Sequence, residues 1–265
     1  MRRRHLFEIA DQSWCPRVVR DGVTDYLRHA ITVGNAYGPA VPHLAGLLHR
    51  TGRNDIVDLA AGGGGPWQSL LPALAAEGVA PTITLTDWHP NLEAFARAAH
   101  DMPGRVQGER RAVDARRVPA DLRGVRTMFS ALHHFEEDEI VAMLRDAEQA
   151  GEPFAALEAT HRSVKALLIT CLTPILVLLF TPAIRPFRWS RLLFTYLIPL
   201  IPLTVLWDGL VSCLRTYTPA ELDDIAQRAG VQHTRYEWRA GESGGGPLPV
   251  TYLIGLTRSN APART

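Results

Sequence analysis

The chain has 265 residues, 46% of them hydrophobic, enough to fill the core of one domain with additions at its margins. Lysine and arginine number 28 against 27 aspartates and glutamates, a formal net charge of +1, and so balanced a chain offers no broad basic face to a polyanion, which speaks against a nucleic-acid partner. Cys15, Cys171 and Cys213 are odd in number and far apart, so neither a disulfide framework nor a zinc site follows from them, and a reducing cytoplasm suits them.

The opening Met1-Arg2-Arg3-Arg4-His5 is basic, but Glu8 and Asp11 interrupt the apolar run that a secretory signal needs, so a cytoplasmic protein is expected. Residues 6–50 read as several short helices carrying Trp14, Tyr26 and Tyr37, with breaks around Pro16, Gly38-Pro39 and Pro42. They make an N-terminal helical cap, residues 1–50, expected to cover what the next segment binds. That segment, Ile56-Val57-Asp58-Leu59-Ala60-Ala61-Gly62-Gly63-Gly64-Gly65, is a buried-strand pattern ending in an acid and then a run almost without side chains. A glycine turn that opens a helix lets backbone N–H groups approach a ligand that any β-carbon would push away, and the acid can receive a donor from that ligand. The dinucleotide fingerprint Gly-x-Gly-x-x-Gly fails here, because its third glycine falls on Trp67 counted from Gly62 and on Gln68 counted from Gly63. A phosphate-gripping P-loop fails too, since Pro66-Trp67-Gln68 offers no lysine.

Further along, a β-prone run over 83–86 ends in Asp87 and Trp88, and Asn91 can cap a helix over 92–100. Ala112-Val113-Asp114-Ala115 precedes Val118-Pro119, and a strand over 125–129 runs into Ser130-Ala131-Leu132-His133-His134-Phe135, which puts polar groups at a strand's carboxyl end. Glu136-Glu137-Asp138-Glu139 opens a helix ending near Gly151, with Ile140, Leu144 and Ala147 on one face; these acids offset the helix dipole rather than bind a metal. Residues 155–158 read as a fifth strand. Alternation of strand and helix implies a parallel sheet.

Taken in order, Asp58-Leu59-Ala60-Ala61-Gly62-Gly63-Gly64, Asp87 and Asp114 resemble the first three motifs of class I S-adenosylmethionine-dependent methyltransferases, with Ala60 where the usual first glycine stands. The resemblance covers residues 50–163 well and 218–258 in architecture. It implies an α/β fold, a Rossmann-like seven-stranded, mostly parallel sheet with helices on both faces, and S-adenosylmethionine held by Asp58, Ala60, Gly62, Gly64, Asp87, Trp88, Asp114, Ala115 and Ser130. Asp87 then takes the ribose hydroxyls and Asp114 the adenine amino group. In-line methyl transfer needs collinear groups, exclusion of water and, for a hydroxyl acceptor, a base. His133 resembles in placement the base of small-molecule O-methyltransferases; His134 is adjacent, and His161 is the reserve, with Glu158 beside it and Arg162 available for an anionic acceptor. No metal is assigned, because no familiar ligand spacing occurs.

The segment 164–217 departs from an ordinary globular pattern. Residues 166–184 and 192–207 hold no charge at all, and the first run, as a helix, would be roughly 28 Å long, close to the thickness of a bilayer core. Pro174, Pro182, Pro199 and Pro202 break the pattern, and Arg185, Arg188 and Arg191 would have to reach the far side of a spanning hairpin. An apolar helical insertion is therefore expected that dips into one leaflet or lids the active site, its arginines at the interface; burial within the protein or against a second subunit stays open. Asp208 and Arg215 break the apolar context and could pair. The last part, 218–265, should complete the sheet: Thr218-Pro219-Ala220-Glu221 is a capping box, Gly230 stops that helix, and strands over 235–238 and 250–256 flank a loop with Gly241 and Gly244-Gly245-Gly246-Pro247. The expected function is methylation of a lipophilic small molecule or lipid, at oxygen ahead of nitrogen or carbon, by a cytoplasmic protein associated with the membrane through 166–207. Two other classes remain: a lipid-binding protein on this fold without transfer, and a nicotinamide-dependent oxidoreductase, which the missing third glycine disfavours.

Overall fold

In the computed structural model, residues 1–230, 236–244 and 248–257 are described. The strands are β1 (Asp55–Asp58), β2 (Thr82–Leu85), β3 (Val106–Gly108), β4 (Val125–Phe129), β5 (Phe154–Glu158), β6 (Tyr236–Ser243) and β7 (Val250–Thr257). They form a seven-stranded sheet in the order β3-β2-β1-β4-β5-β7-β6. The first five run parallel, β7 lies antiparallel to β5, and β6 antiparallel to β7. β1 pairs with β2 on one side and β4 on the other, so the strand order reverses there and a crevice opens at the carboxyl ends of these two strands.

Helices cover both faces, as expected. On one side α2 (Val41–Thr51), α3 (Trp67–Ala76) and α4 (Leu92–Asp101) pack Leu44, Leu70, Leu74 and Phe95 onto Ile56 and Ile83; on the other, α5 (Glu137–Ala150) and α10 (Pro219–Ala229) pack Ile140, Leu144 and Leu222 onto Val57 and Met128. The caps read from the sequence are present. Asn91 accepts from the Ala94 N–H, and Thr218 and Glu221 form a reciprocal box before α10 with Pro219 in its first turn; the structure adds a second such box, Glu136 with Glu139, before α5. The acidic start of α5 also binds its neighbours: Glu137 and Asp138 pair with Arg228, and Glu139 with Arg116. β3 escapes sequence reading because only Val106 of its three residues is buried, so it has no period. Arg235, the expected start of β6, and Gly245, Gly246 and Pro247 of the following loop lie outside the described residues.

Residues 1–50 are divided between two places. α2 lies on the sheet, whereas α1 (Arg17–Val33) packs Val19, Val23 and Tyr26 against Val177, Ile184, Ile201 and Val205 of the apolar insertion. Gly22 permits this approach, since a β-carbon there would stand 2.4 Å from Ile201 Cδ1. The insertion consists of α6 (Val164–Thr170), α7 (Thr173–Phe180), α8 (Trp189–Leu192), which continues as a π-helical turn Leu193–Leu197, and α9 (Leu200–Arg215). Pro174 and Pro202 sit in first turns, where a missing N–H breaks no intrahelical bond. α8 with its π-turn meets α9 at a 76° bend.

Two expectations are corrected here. Arg191 is not at an interface: its side chain is 3% exposed and donates to Asp25 Oδ2 at 2.6 Å and to the Ile184 and Pro186 carbonyls, fastening the insertion to α1. Asp208 and Arg215 do not pair with each other. Asp208 accepts the N–H groups of Ile9 and Ala10, and Arg215 reaches Glu8 and the carbonyls of His133 and His134, so the middle and the carboxyl end of α9 hold the N-terminal strap instead. Arg3 completes the strap by donating to the Arg215 carbonyl while lying over the Tyr217 ring.

Candidate active site

A cavity of about 590 Å³ occupies the crevice at the carboxyl ends of β1, β2 and β4. The floor is the loop after β1. Ala60 (φ +52°), Gly62 (+48°), Gly64 (+108°) and Gly65 (+69°) all take left-handed backbone, and an added β-carbon at Gly62 would meet nothing within 4 Å, so its backbone faces open space. Gly65 needs its bareness for an internal reason: a β-carbon would stand 2.6 Å from Asp58 Oδ2. Ala60 occupies the position where the motif usually has glycine, in backbone that a β-carbon disfavours by roughly 1 kcal/mol. Ala60→Gly should therefore leave the loop in place and raise the melting temperature by a degree or more, with the gain reduced by the freedom glycine adds to the unfolded chain; a lower melting temperature would mean that the Ala60 methyl packs usefully.

Of the residues expected to hold the cofactor, Ala60, Gly62, Asp87, Trp88, Asp114, Ala115 and Ser130 line this cavity. Asp87 accepts from the Gly62 N–H at 2.9 Å and the His89 N–H at 2.8 Å, one on each oxygen, which fixes the carboxylate while leaving lone pairs toward the cavity. Asp114 is gripped by Arg116, whose side chain holds its carboxyl below the usual range. Ser130 (φ +43°) accepts from the Tyr37 hydroxyl at 2.7 Å and the Ala159 N–H at 3.0 Å, so α2's leading turn is joined to the ends of β4 and β5 at the wall. Gly64 does not reach the wall.

Asp58 lies beneath the loop rather than in the cavity. It is 1% exposed, and its oxygens accept from Trp67 Nε1 at 2.7 Å and Thr127 Oγ1 at 3.0 Å. Burial pushes its carboxyl up to about 7, against the lowering effect of those two bonds and with help from the charge of Asp87. Because the folded state holds this proton more tightly than the unfolded chain, the contribution of Asp58 to stability falls as pH rises from about 4 to about 7 and is level above. Relative to the native chain, Asp58→Asn should thus gain in melting temperature across that window. A difference independent of pH would refute the buried, raised carboxyl.

The three histidines part company. His134 is at the cavity wall, its Nδ1 3.1 Å from Asp11 Oδ2. His133, the preferred base, is buried behind it with Nδ1 2.5 Å from Glu158 Oε2 and Nε2 toward Glu8. Burial alone would lower its pKa, but the carboxylates of Glu158 and Glu8 outweigh that and raise it to about 9, so the ring is charged at neutral pH and cannot accept a further proton. His161 bonds Glu242 and does not line the cavity. Arg162 is held by Glu221. Asp11, Arg28 and Tyr37 also line the wall. No local signal marked Asp11 or Arg28 as site residues, because each reaches the cavity on the N-terminal strap or on α1, outside the strand-and-turn motifs that form its floor.

No protein-family model and no curated protein matches the sequence. Solved structures do. The plantazolicin methyltransferase BpumL, in complex with S-adenosylhomocysteine, superposes with a TM-score of 0.57 over 94% of each chain at 11% identity. The fold is that of class I methyltransferases. An O-methyltransferase from neocarzinostatin biosynthesis, in complex with S-adenosylhomocysteine and 1,4-dihydroxy-2-naphthoic acid, superposes with a TM-score of 0.53 over 91% of this chain at 17% identity, and this chain spans 59% of its length. On the methyltransferase fold the crevice between β1 and β4 is the ligand position that strand order predicts, and the cavity found here coincides with it. None of residues 164–217 lines that cavity.

Proposed function

We propose that the protein is an S-adenosylmethionine-dependent methyltransferase acting on an oxygen of a lipophilic small molecule or lipid at a membrane surface. The observation that carries this reading is the convergence of the Gly62 backbone, Asp87, Asp114 and His134 on one cavity at the strand-order reversal. The cofactor fits the residues present: the open left-handed position at Gly62 admits a ligand against the backbone, and Asp87 keeps acceptor capacity for ribose hydroxyls. Asp114 and Ala115 stand where an adenine ring would be read. When bound, S-adenosylmethionine supplies an electrophilic methyl group. The chain's own residues hold, orient and dry the site: Tyr37 and Phe129, edge to face at 5.0 Å, close it on the sheet side, and Leu27 and Ile31 of α1 give it apolar walls for the acceptor. Proton removal from an acceptor hydroxyl falls to the polar end, where His134 meets Asp11. Calorimetry with S-adenosylmethionine or S-adenosylhomocysteine tests the reading directly; no binding of either ends it.

Support for the membrane comes from the insertion's surface. Leu168, Leu172, Ile175 and Leu179, spaced to fall on one side of α6 and α7, are each more than half exposed, and Trp189 reaches 77%. Between residues 159 and 207 every charged residue is basic, and with Arg162 and Arg191 buried against Glu221 and Asp25 it is Lys165 and Arg185 that stand exposed. An exposed apolar stripe within a segment free of acids suits an anionic leaflet better than a second copy of the same surface. Arg28 lines the cavity and donates to the Arg185 carbonyl at 2.9 Å, so the site's rim touches this unit. The intact chain should float with vesicles containing phosphatidylglycerol, and a Leu168→Gln, Leu172→Gln, Leu179→Gln variant should stay behind. A dimer in solution without flotation would assign the face to self-association.

A further inference from the structure

Glu8, His133 and His134 bring one donor atom each within 4.8 Å of one another. His133 Nε2 lies 3.6 Å from Glu8 Oε1, and His134 Nε2 lies 3.8 Å from Glu8 Oε2. Both separations are too long for a hydrogen bond, and His133 Nε2, fully buried, has no hydrogen-bond partner at all. They are close to the edge of a tetrahedron around an ion with ligand bonds near 2.1 Å, which is about 3.4 Å. The other side of each ring is arranged to match. His133 Nδ1 faces Glu158 and His134 Nδ1 faces Asp11, so each imidazole has a carboxylate behind it while its Nε2 lies in the cluster with Glu8, the two rings stacked at 4.4 Å. A carboxylate behind a ligating histidine fixes its tautomer and raises its basicity, the usual outer layer of a metal site.

We propose that Glu8, His133 and His134 bind a divalent first-row ion of the zinc class, the ion displacing the Nε2 proton of His133 to solvent as it binds, with Glu158 and Asp11 as the supporting carboxylates and the remaining coordination position open to the cavity through the His134 wall. Two imidazoles and one carboxylate are a donor set for zinc, cobalt or ferrous iron rather than magnesium or calcium. The inference rests on the methyltransferase reading for its role, not for its existence. In that role the ion, rather than a free His134, activates the acceptor at this end of the cavity: the hydroxyl coordinates the ion, its O–H bond breaks with the proton leaving to solvent, and the oxygen is held as the nucleophile. The site closes only when the N-terminal strap is docked, since Glu8 arrives on it while the histidines follow β4. Arg215, 3.4 Å from Glu8 Oε1, steadies that docking.

The full-length protein, stripped with chelator and dialysed, should take up one equivalent of Co²⁺ with visible absorption bands, and one equivalent of Zn²⁺ by calorimetry, in the absence of any acceptor. His134→Ala, a partly exposed side chain whose loss leaves the core intact, should weaken Co²⁺ at least tenfold, as should Glu8→Gln; His49→Ala on α2 should change nothing. Melting curves verify that each variant is folded. Absence of a one-to-one site for both ions, or a site indifferent to both substitutions, overturns the proposal. Calorimetry of S-adenosylmethionine on the stripped protein separates the two readings: retained nucleoside binding without metal uptake defeats the metal site and leaves the methyltransferase standing.

Discussion

Asp87→Ala should weaken S-adenosylmethionine binding about 100-fold, because a carboxylate bonded to ribose hydroxyls contributes roughly 1.5–3 kcal/mol per charge-assisted bond and every 1.4 kcal/mol is a factor of ten. A second loss adds to the first. Asp87 accepts the Gly62 N–H, so its removal also frees the glycine loop at the residue whose backbone faces the cavity. Asp87→Asn keeps one acceptor oxygen and the shape, and should cost about tenfold. Asp114→Ala should cost less than Asp87→Ala, since Arg116 already grips that carboxylate and solvent reaches it. Isothermal calorimetry on folded variants decides the matter. Native affinity in Asp87→Ala would mean that the ribose lies elsewhere.

Asp25→Ala should destabilise the protein by about 3–5 kcal/mol, the usual consequence of removing one partner of a buried ion pair. Arg191 would be left almost fully buried with only the carbonyls of Ile184 and Pro186 as partners. Its charge has no route to water, because the same contact closes α1 on the insertion. The double variant Asp25→Ala, Arg191→Met should recover much of the loss, since an apolar side chain of similar length can fill the space without a charge to desolvate. The urea midpoint measures both. A single-variant cost under about 1 kcal/mol would show that the pair is solvated and that α1 and α8 separate readily in solution.

These two residues mark different kinds of legibility. Asp87 was readable because it follows a short β-prone run at the spacing expected for the second strand of this fold, and because local sequence is enough to form a strand, a turn and a capped helix. The same holds for Gly62, Asp114 and the box at Thr218, each of which depends on residues a few positions apart, whereas the parallel order of the sheet was read from the alternation of strand and helix and is made by pairs far apart in sequence. Asp25 carries no such signal. An acid on an otherwise ordinary amphipathic helix looks solvated until α8 brings Arg191 to it from 166 residues away.

Asp58 and His133 show the limit in another way. Their positions in the chain were right for the fold, but the direction of a side chain at a strand's end depends on which neighbour claims it. Trp67 and Thr127 draw Asp58 under the loop, and Glu158 draws His133 into the core, leaving His134 at the wall. The apolar insertion was legible as apolar; that α1 joins its helices in one core was decided by packing, through Gly22 and Ile201.

From the linear order of residues alone came four of the five parallel strands, the glycine floor, and Asp87 and Asp114 at the cavity wall, since periodic burial and turn chemistry act over short separations. Tertiary structure alone decided which histidine meets the cavity, where the N-terminal strap delivers Glu8 and Asp11, and how the apolar helices are fastened. Those outcomes depend on charges and buried surfaces meeting across long separations, and a one-dimensional pattern carries no record of which partner is near enough to pair.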